Sequence, residues 1–370
     1  MKKSFVYLWT DYYRMKSDSL NSPAFRQLLA LLRCSLFGQP YAPVSAGTSA
    51  PVDWAKVLEC AGANGLTAVS YEAVKALPLE LRPDFGTMLL WDLSAQGVRQ
   101  SFDSRKAVKE HLRDLFASAD IRMLILKGES LADCYPVREI RESGDLDIML
   151  LDGYDRGNAL VEAAGIAVDY SHPKHSRFVY EGLEVENHVV KPLREYYVSE
   201  SRMKADLEHS CRRQDGCWEL QPESHARFLL SHMIGHLNWN EHINLKMLLD
   251  LALLLRKYPS VLQDWSKSGS ALEESGLVPF ARLALSSIDL LFGTTYAKGD
   301  SGVPALPEKK VRSFLRVCML GECSEALRPF IRMRYVPMSF GEKCADALLQ
   351  FKILLSARLR RVPGESRKQA

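Results

Sequence analysis

The stretch that decides the fold is LILKGESLADCYPVREIRESGDLDIMLL, residues 124–151. It begins with an apolar run that ends at Lys127 and Gly128, and it closes with the run DLDIMLL, which carries Asp145 and Asp147. Short, nearly continuous apolar runs bounded by glycine and charged residues are typical of buried strands. We therefore predict two strands here, joined by a turn and a connecting helix.

Two carboxylates share one face of the second strand. Side chains alternate along a strand, so Asp145 and Asp147 project from the same face while Leu146 points into the core. Like charges this close repel each other unless a cation neutralises them. Carboxylate oxygens suit Mg²⁺, and a pair of such ions is used for displacement at phosphorus. Asp145 and Asp147 together therefore predict a metal site for phosphoryl chemistry.

A third carboxylate is expected from a later strand. The segment LEVENHVV, residues 183–190, alternates so that Glu184, Glu186 and His188 lie on one face. Glu186 is the best candidate for the third metal ligand, where it would also orient or deprotonate an attacking hydroxyl. His188 shares this face and is a candidate substrate contact.

The turn after the first strand is a candidate phosphate site. Gly128 permits a close approach of the backbone to a triphosphate, and the following helix N-terminus with Ser130 offers hydrogen-bond donors. Lys127 lies beside this turn. Arg141 lies just ahead of the acidic pair, where a guanidinium would hold a phosphate through two hydrogen bonds. The alternative for Arg141 is an ion pair with a neighbouring carboxylate.

Four histidines and a cysteine segment are further candidates. His232 and His236 lie one helical turn apart and either bind a metal or pack between the helices and the core. His172 and His175 lie in a turn between two predicted strands, where they would border the cleft. The segment HSCRRQDGC, residues 209–217, could supply half of a zinc site, but no second half is found.

Helical patterns lie on both sides of these strands. Start and stop residues predict a helix after Ser22, two helices after Asp53 that are separated at Gly62 or Gly65, and a long helix over residues 85–117. Between them and a second helical region, apolar runs predict five strands at 121–126, 145–151, 166–170, 177–180 and 183–190. The second helical region begins near Glu223 and includes a helix over residues 340–361.

The predicted fold class is therefore α+β, a small mixed sheet flanked by helical domains on either side. The boundaries that we predict are an N-terminal helical region at residues 1–118, an α/β core at 119–221 and a C-terminal helical domain at 222–370.

Composition excludes few functions. The chain has 370 residues, 47% hydrophobic and 25% charged, and its net charge of +3 is too small to indicate a nucleic-acid coat. The apolar run near the N-terminus is too short for a signal peptide, and no window is long enough to span a membrane. Eight cysteines without a repeated C-x-x-C spacing fit reduced thiols. We therefore predict a cytoplasmic protein with no membrane partner.

With these residues in place, the chain resembles the uncharacterised bacterial nucleotidyltransferases of the polymerase-β-like superfamily. The resemblance rests on LKGESLADCYPVREIRESGDLDIMLL, on LEVENHVV and on LLSHMIGHLNWNEHINLKMLLDLALLL, and it covers about residues 25–260. In it, Gly128 matches the turn glycine, Asp145 and Asp147 match the acidic pair, and Glu186 matches the third carboxylate.

The resemblance implies an activity and its cofactors. It implies the transfer of a nucleoside monophosphate from an NTP such as ATP to an acceptor hydroxyl, with release of pyrophosphate. The cofactor would be Mg²⁺ or Mn²⁺, and the acceptor would be a small molecule, a protein or an RNA. Lys127 and Arg141 fall where this family carries basic residues near the nucleotide.

Two alternatives stay open from the sequence. Glu129 adds a negative charge beside the turn that a triphosphate would approach, and position 186 carries Glu where the superfamily pattern has Asp. Both features would suit a catalytically inactive relative that serves as a binding or regulatory module. The other alternative is a toxin-like enzyme that modifies tRNA.

Overall fold

The computed structural model describes residues 19–42, 51–151, 153–172, 175–189, 200–238, 242–297, 299 and 302–320. Within these ranges it contains thirteen α-helices and one six-stranded sheet, which confirms the α+β prediction. The predicted helix over residues 340–361 lies outside the described residues. No helix in the described part of the chain is long and apolar enough to cross a membrane.

The helices before the sheet are α1 (Pro23–Phe37), α2 (Trp54–Ala63), α3 (Thr67–Lys75) and α4 (Phe85–Ala117). The sheet region contains β1 (Arg122–Ile125), α5 (Glu129–Ala132), β2 (Asp145–Leu151), α6 (Tyr154–Ala163), β3 (His175–Tyr180), β4 (Leu183–His188), α7 (Glu200–Glu208), β5 (Cys211–Arg212) and β6 (Trp218–Glu219). The helices after it are α8 (Pro222–Asn238), α9 (Leu245–Lys257), α10 (Ser260–Trp265), α11 (Ala271–Glu274), α12 (Val278–Phe292) and α13 (Glu308–Leu320).

Local signals determine where the first helices begin and end. The Ser22 side chain accepts a hydrogen bond from the Phe25 amide at the start of α1, and Gly38, at φ 67°, ends that helix in the left-handed conformation. Asp53 caps α2 in the same way. The break between α2 and α3 includes Gly65, at φ 63°, as the sequence predicts.

The six strands form a mixed sheet in the order β3-β4-β2-β1-β6-β5. β1 pairs with β2 antiparallel, β2 pairs with β4 parallel, and β3 pairs with β4 antiparallel. At the other edge β1 pairs with β6 parallel, and β5 pairs with β6 antiparallel. Four of the five predicted strands are confirmed, and they occupy the centre and one edge of this sheet.

The predicted strand over residues 166–170 is wrong. This segment forms only an isolated bridge between Asp169 and Arg177, and its apolar side chains Ile166 and Val168 are only partly buried, so little apolar burial supports a longer pairing. The sequence also misses β5 and β6, because two-residue strands are too short to show alternation. These two strands form a hairpin from the segment that we considered as half of a zinc site.

The two faces of the sheet are covered by different helices. Leu146, Ile148 and Leu150 of β2 pack in one cluster with apolar residues of α4. Met149 and Leu151, which point the other way, pack in another cluster with Phe228 of α8. Asp145 and Asp147 therefore lie on the face toward α8, while Leu146 points into the α4 cluster as expected.

The helical regions before and after the sheet share one large apolar cluster. Hydrogen bonds also join them directly; for example, the Arg33 guanidinium on α1 donates to the Leu290 and Leu291 carbonyls at the end of α12. The division of the chain near residues 118 and 221 stays a prediction.

A buried ion pair links the loop before β2 to α9. Arg141 donates from Nε and Nη2 to the two carboxylate oxygens of Asp250, at 3.0 and 2.8 Å. The Tyr135 hydroxyl donates to the same carboxylate at 2.7 Å. All three side chains are buried, so the carboxylate is paired with a charge and a second donor in a site that water does not reach.

We expect Asp250→Asn to lower the free energy of unfolding by about 3–5 kcal/mol, because it leaves the Arg141 charge buried without a counter-ion. Urea denaturation at neutral pH measures this change. The control is Asp264→Asn, which breaks an ion pair with the largely exposed Lys267 and should change the stability by less than about 1 kcal/mol. Equal losses for the two variants would contradict the structural role of the buried pair.

Candidate functional site

Three carboxylates converge on the face of the sheet toward α8. The parallel register places Glu186 of β4 directly opposite Asp147 of β2, and Asp145 lies two residues earlier on the same strand and face. Each of the three offers an oxygen, and these oxygens all lie within 4.8 Å of one another. The structure thus brings together the three residues predicted to hold metal.

Asp147 is the most strongly compensated of the three acids. Its Oδ1 lies 2.8 Å from the Lys127 ammonium and 3.0 Å from Nε2 of His188, and its side chain is buried. Burial by itself would raise the pKa of Asp147, but Lys127 and the His188 hydrogen bond outweigh burial and hold that pKa well below its usual range. Asp147 is therefore an anion at neutral pH.

Asp145 has a different electrostatic environment. Repulsion from the Asp147 carboxylate, together with burial, raises the pKa of Asp145 above its usual value. Its negative charge is therefore under-compensated in the protein without a bound cation. A divalent cation placed among the three carboxylates would remove this repulsion.

Glu186 lies between two histidines. Nε2 of His188 lies 3.5 Å from one carboxylate oxygen of Glu186, and Nε2 of His175 lies 3.4 Å from the other. Burial opposes ionisation, but the His188 contact lowers the pKa of Glu186. Burial lowers the pKa of His175 to about 4, so its imidazole is neutral at physiological pH. His188, predicted as a substrate contact, therefore contacts two of the acids, Asp147 and Glu186, and His175 contacts Glu186 as well.

The glycine turn adjoins the acids. Gly128 has φ 62° and ψ −104°, a backbone conformation that favours glycine. Lys127 and Gly128 line a cavity of about 160 Å³ together with Asp145 and Asp147. The helix α5 that follows has only four residues, and Ser130 is buried with its hydroxyl donating to the Lys127 carbonyl at 3.3 Å. Nucleotide contacts of Lys127, Gly128 and Ser130 stay predictions.

The charge of Glu129 is compensated inside the protein. Its carboxylate is buried and forms an ion pair with Lys109 of α4, which in turn pairs with Asp215 at 2.9 Å. The sequence suggested a repulsive charge beside the phosphate turn. The structure instead shows a carboxylate that is neutralised by a buried ammonium group.

Arg141 lines the same small cavity as the acids, but the Nε and Nη2 atoms of its guanidinium group already donate hydrogen bonds to Asp250. Of the two alternatives that the sequence left open, the ion pair is present, although its partner lies on α9 rather than beside Arg141 in the chain. A nucleotide contact of Arg141 stays a prediction.

Residues that the predicted site did not include also line this cavity, among them two histidines and a lysine. His232 and His236 of α8 line it, with their Nε2 atoms 3.0 Å apart, and their spacing was a visible signal. Lys246 of α9 also lines it and donates to the Glu142 carbonyl at 2.9 Å. Burial lowers the pKa of Lys246. A single lysine at the start of an apolar helix gave no signal in the sequence.

Comparison with known proteins identifies one family. The sequence profile of a family described as uncharacterised nucleotidyltransferases matches residues 50–293. This match contains all of the sheet, the three carboxylates and the helices α2 to α12. No curated protein and no solved structure matches the chain.

We expect Mg²⁺ or Mn²⁺ to raise the melting temperature of the protein, since a ligand at 100 times its Kd adds about 2.7 kcal/mol to the free energy of unfolding. Asp145→Asn should abolish this rise while leaving the metal-free protein at least as stable as wild type, because it removes the repulsion with Asp147. Differential scanning calorimetry with and without the metal measures both effects.

The matched control for this experiment is Asp103→Asn, which changes an exposed acid on α4 outside the cluster. Its response to metal should equal that of the wild-type protein. A full metal response in Asp145→Asn would show that the ions bind elsewhere.

Proposed function

Because the chain belongs to this uncharacterised nucleotidyltransferase family, we propose that it transfers a nucleoside monophosphate from an NTP to an acceptor hydroxyl and releases pyrophosphate, with Mg²⁺ or Mn²⁺ as cofactor. The observation that carries this proposal is the convergence of Asp145, Asp147 and Glu186 from two adjacent strands. Three carboxylates within 4.8 Å of one another are otherwise an unfavourable arrangement.

The donor set fits the proposed cation. Oxygen ligands bind Mg²⁺ at about 2.0–2.1 Å in an octahedron, so two of them lie about 3 Å apart when adjacent and about 4 Å apart when opposite. The three carboxylate oxygens meet this spacing with small side-chain rotations, since none is more than 4.8 Å from another. Asp145 and Asp147 would hold both ions, and Glu186 would hold one.

The ions, when bound, supply charge neutralisation for the phosphates and for the transition state. Asp147 would hold a metal beside Lys127, whose ammonium lies 2.8 Å from Asp147 Oδ1 and would add positive charge near the phosphates. His188 would keep Asp147 in position, since its ring lies against both Asp147 and Glu186.

The transfer step follows from the position of Glu186 in this proposal. Glu186 orients the acceptor hydroxyl and accepts its proton. The acceptor oxygen forms a bond to the α-phosphorus, the bond from that phosphorus to the bridging oxygen breaks in line, and pyrophosphate leaves. Gly128 and the backbone around it would lie beside the departing phosphates.

We also infer a core of the polymerase-β-like type. In support, a glycine turn follows β1, an aspartate pair alternates with apolar residues on β2, and the third acid lies on the strand that pairs with β2 in parallel. The ion pair of Glu129 with Lys109 removes one of the two sequence features that suited an inactive relative.

Five cysteines in the described part of the chain are free thiols, in keeping with the predicted cytoplasmic location.

We expect the full chain to release pyrophosphate from at least one labelled NTP when Mg²⁺ or Mn²⁺ and a panel of small-molecule, protein and RNA acceptors are supplied. Glu186→Gln should lower the rate at least about 100-fold, because it removes a metal ligand and the proton acceptor. Label transferred to tRNA alone would favour the tRNA-modifying alternative.

The control is Glu184→Gln, on the same strand and face as Glu186 but outside the cluster of three carboxylates. It should change the rate less than about tenfold, far below the loss that removal of the proton acceptor causes. Equal losses for the two variants, or an undiminished rate in Glu186→Gln, would refute the proposed role of Glu186.

A further inference from the structure

A second and larger cavity adjoins the site. It has a volume of about 950 Å³ and lies between α2, α4 and the residues just before β2. This volume is at the upper end of the range for small-molecule sites. Leu58, Leu90 and Val98 contribute an apolar wall, and Arg105 lies in its lining near the start of β2.

Arg105 is a buried cation that has no counter-ion among the residues that the structure describes. Four lysine or arginine side chains are buried among the described residues, and three of them have a carboxylate within 3 Å, namely Lys109, Arg141 and Arg227. Arg105, which is 2% exposed, has no carboxylate of the described residues within 4 Å.

The partners that Arg105 does have are neutral. Its Nη1 donates to the Ser143 carbonyl and, at 2.8 Å, to the Ser101 hydroxyl, while its Nε is buried with no hydrogen-bond partner among the described residues. A buried charge without a counter-ion is costly, so an anionic ligand would compensate a charge that the protein leaves unpaired.

The large cavity is adjacent to the small cavity that contains two of the carboxylates, and the two cavities share lining residues. Ser143 and Lys246 line both this cavity and the small one that contains Asp145 and Asp147. The Ser143 carbonyl accepts from Arg105, and its hydroxyl donates to the Asp145 carbonyl at 3.3 Å. A ligand in the large cavity could therefore extend a reactive group past Ser143 to the acids.

We propose that the large cavity is the acceptor site, and that Arg105 binds an anionic group, a phosphate or a carboxylate, of an acceptor whose apolar part packs against Leu58, Leu90 and Val98. The term acceptor rests on the proposed nucleotidyl transfer, whereas the binding of an anionic apolar ligand does not.

Three small probes test this site in the full-length protein by isothermal titration calorimetry. All three probes contain a phenyl ring. Phenyl phosphate and benzoate carry an anionic group on that ring, whereas the substituent of benzyl alcohol is uncharged. We expect the wild-type protein to bind one or both anions, and the stronger of the two identifies the group that Arg105 recognises. Failure of both anions to bind would overturn the proposal.

Arg105→Gln should weaken the binding of the anionic probe at least about tenfold, because hydrogen bonds between charged groups are lost. Arg99→Gln is the matched control, since Arg99 lies on the same helix but pairs with Glu72. It should bind the probe as the wild type does. Undiminished binding in Arg105→Gln, or equal losses in both variants, would overturn the role of Arg105.

A second variant keeps the test valid if Arg105→Gln does not fold. Gly97 of α4 lines the cavity, and a Cβ there would meet no atom within 4 Å. Gly97→Leu should therefore preserve the helix and fill the cavity, so that the anionic probe binds at least about tenfold more weakly. Undiminished binding in this variant would place the probe elsewhere and overturn the proposal.

Two further measurements separate this proposal from the proposed function. Asp145→Asn should leave probe binding within twofold of the wild type even though transfer is lost, so failure of transfer with intact probe binding refutes only the catalytic proposal. If ATP with Mg²⁺ displaces the probe and Arg105→Gln weakens ATP instead, the cavity holds the nucleotide and the acceptor proposal is wrong.

Discussion

The contact on which the rest of the site depends is the 2.8 Å ion pair between Lys127 and Asp147. It lets the chain fold with three carboxylates on one patch of sheet, because the Lys127 ammonium compensates part of their charge. It also ties the last residue before the glycine turn to the strand that carries the acids. The turn and the acids are therefore held in one geometry before any substrate arrives.

Buried ion pairs add directional contacts between parts of the molecule that apolar packing already joins. Lys109 of α4 pairs with Glu129 at the start of α5, beside the glycine turn, and Arg141 before β2 pairs with Asp250 on α9. Each pair joins a helix to residues beside the site. Apolar packing would tolerate small shifts of these residues, whereas a buried ion pair with two hydrogen bonds permits far fewer positions.

The sequence predicts features that depend on residues close together in the chain, and it misses contacts between residues that are far apart in the chain. The bounds of α4 and the shared face of Asp145 and Asp147 depend on neighbouring residues, and alternation with one strand pairing is enough to add Glu186. The sequence does not predict Asp250 as the partner of Arg141, because Asp250 lies inside an apolar helix far along the chain. Arg105 gave no signal either, since an arginine on a long helix normally reaches solvent, and only the folded structure shows that it does not.

The parallel pairing of β2 with β4 has a consequence for how the protein acquires its site. β1 and β2 are neighbours in sequence and pair antiparallel, so two of the acids and Lys127 come together through local contacts. Glu186 joins them only after the chain has passed through α6 and β3 and returned, which closes a long loop at an entropic cost. We therefore expect the pairing that brings in Glu186 to form after the pairing of β1 with β2, so that a chain halted between these steps would hold the aspartates without the residue proposed to accept the proton.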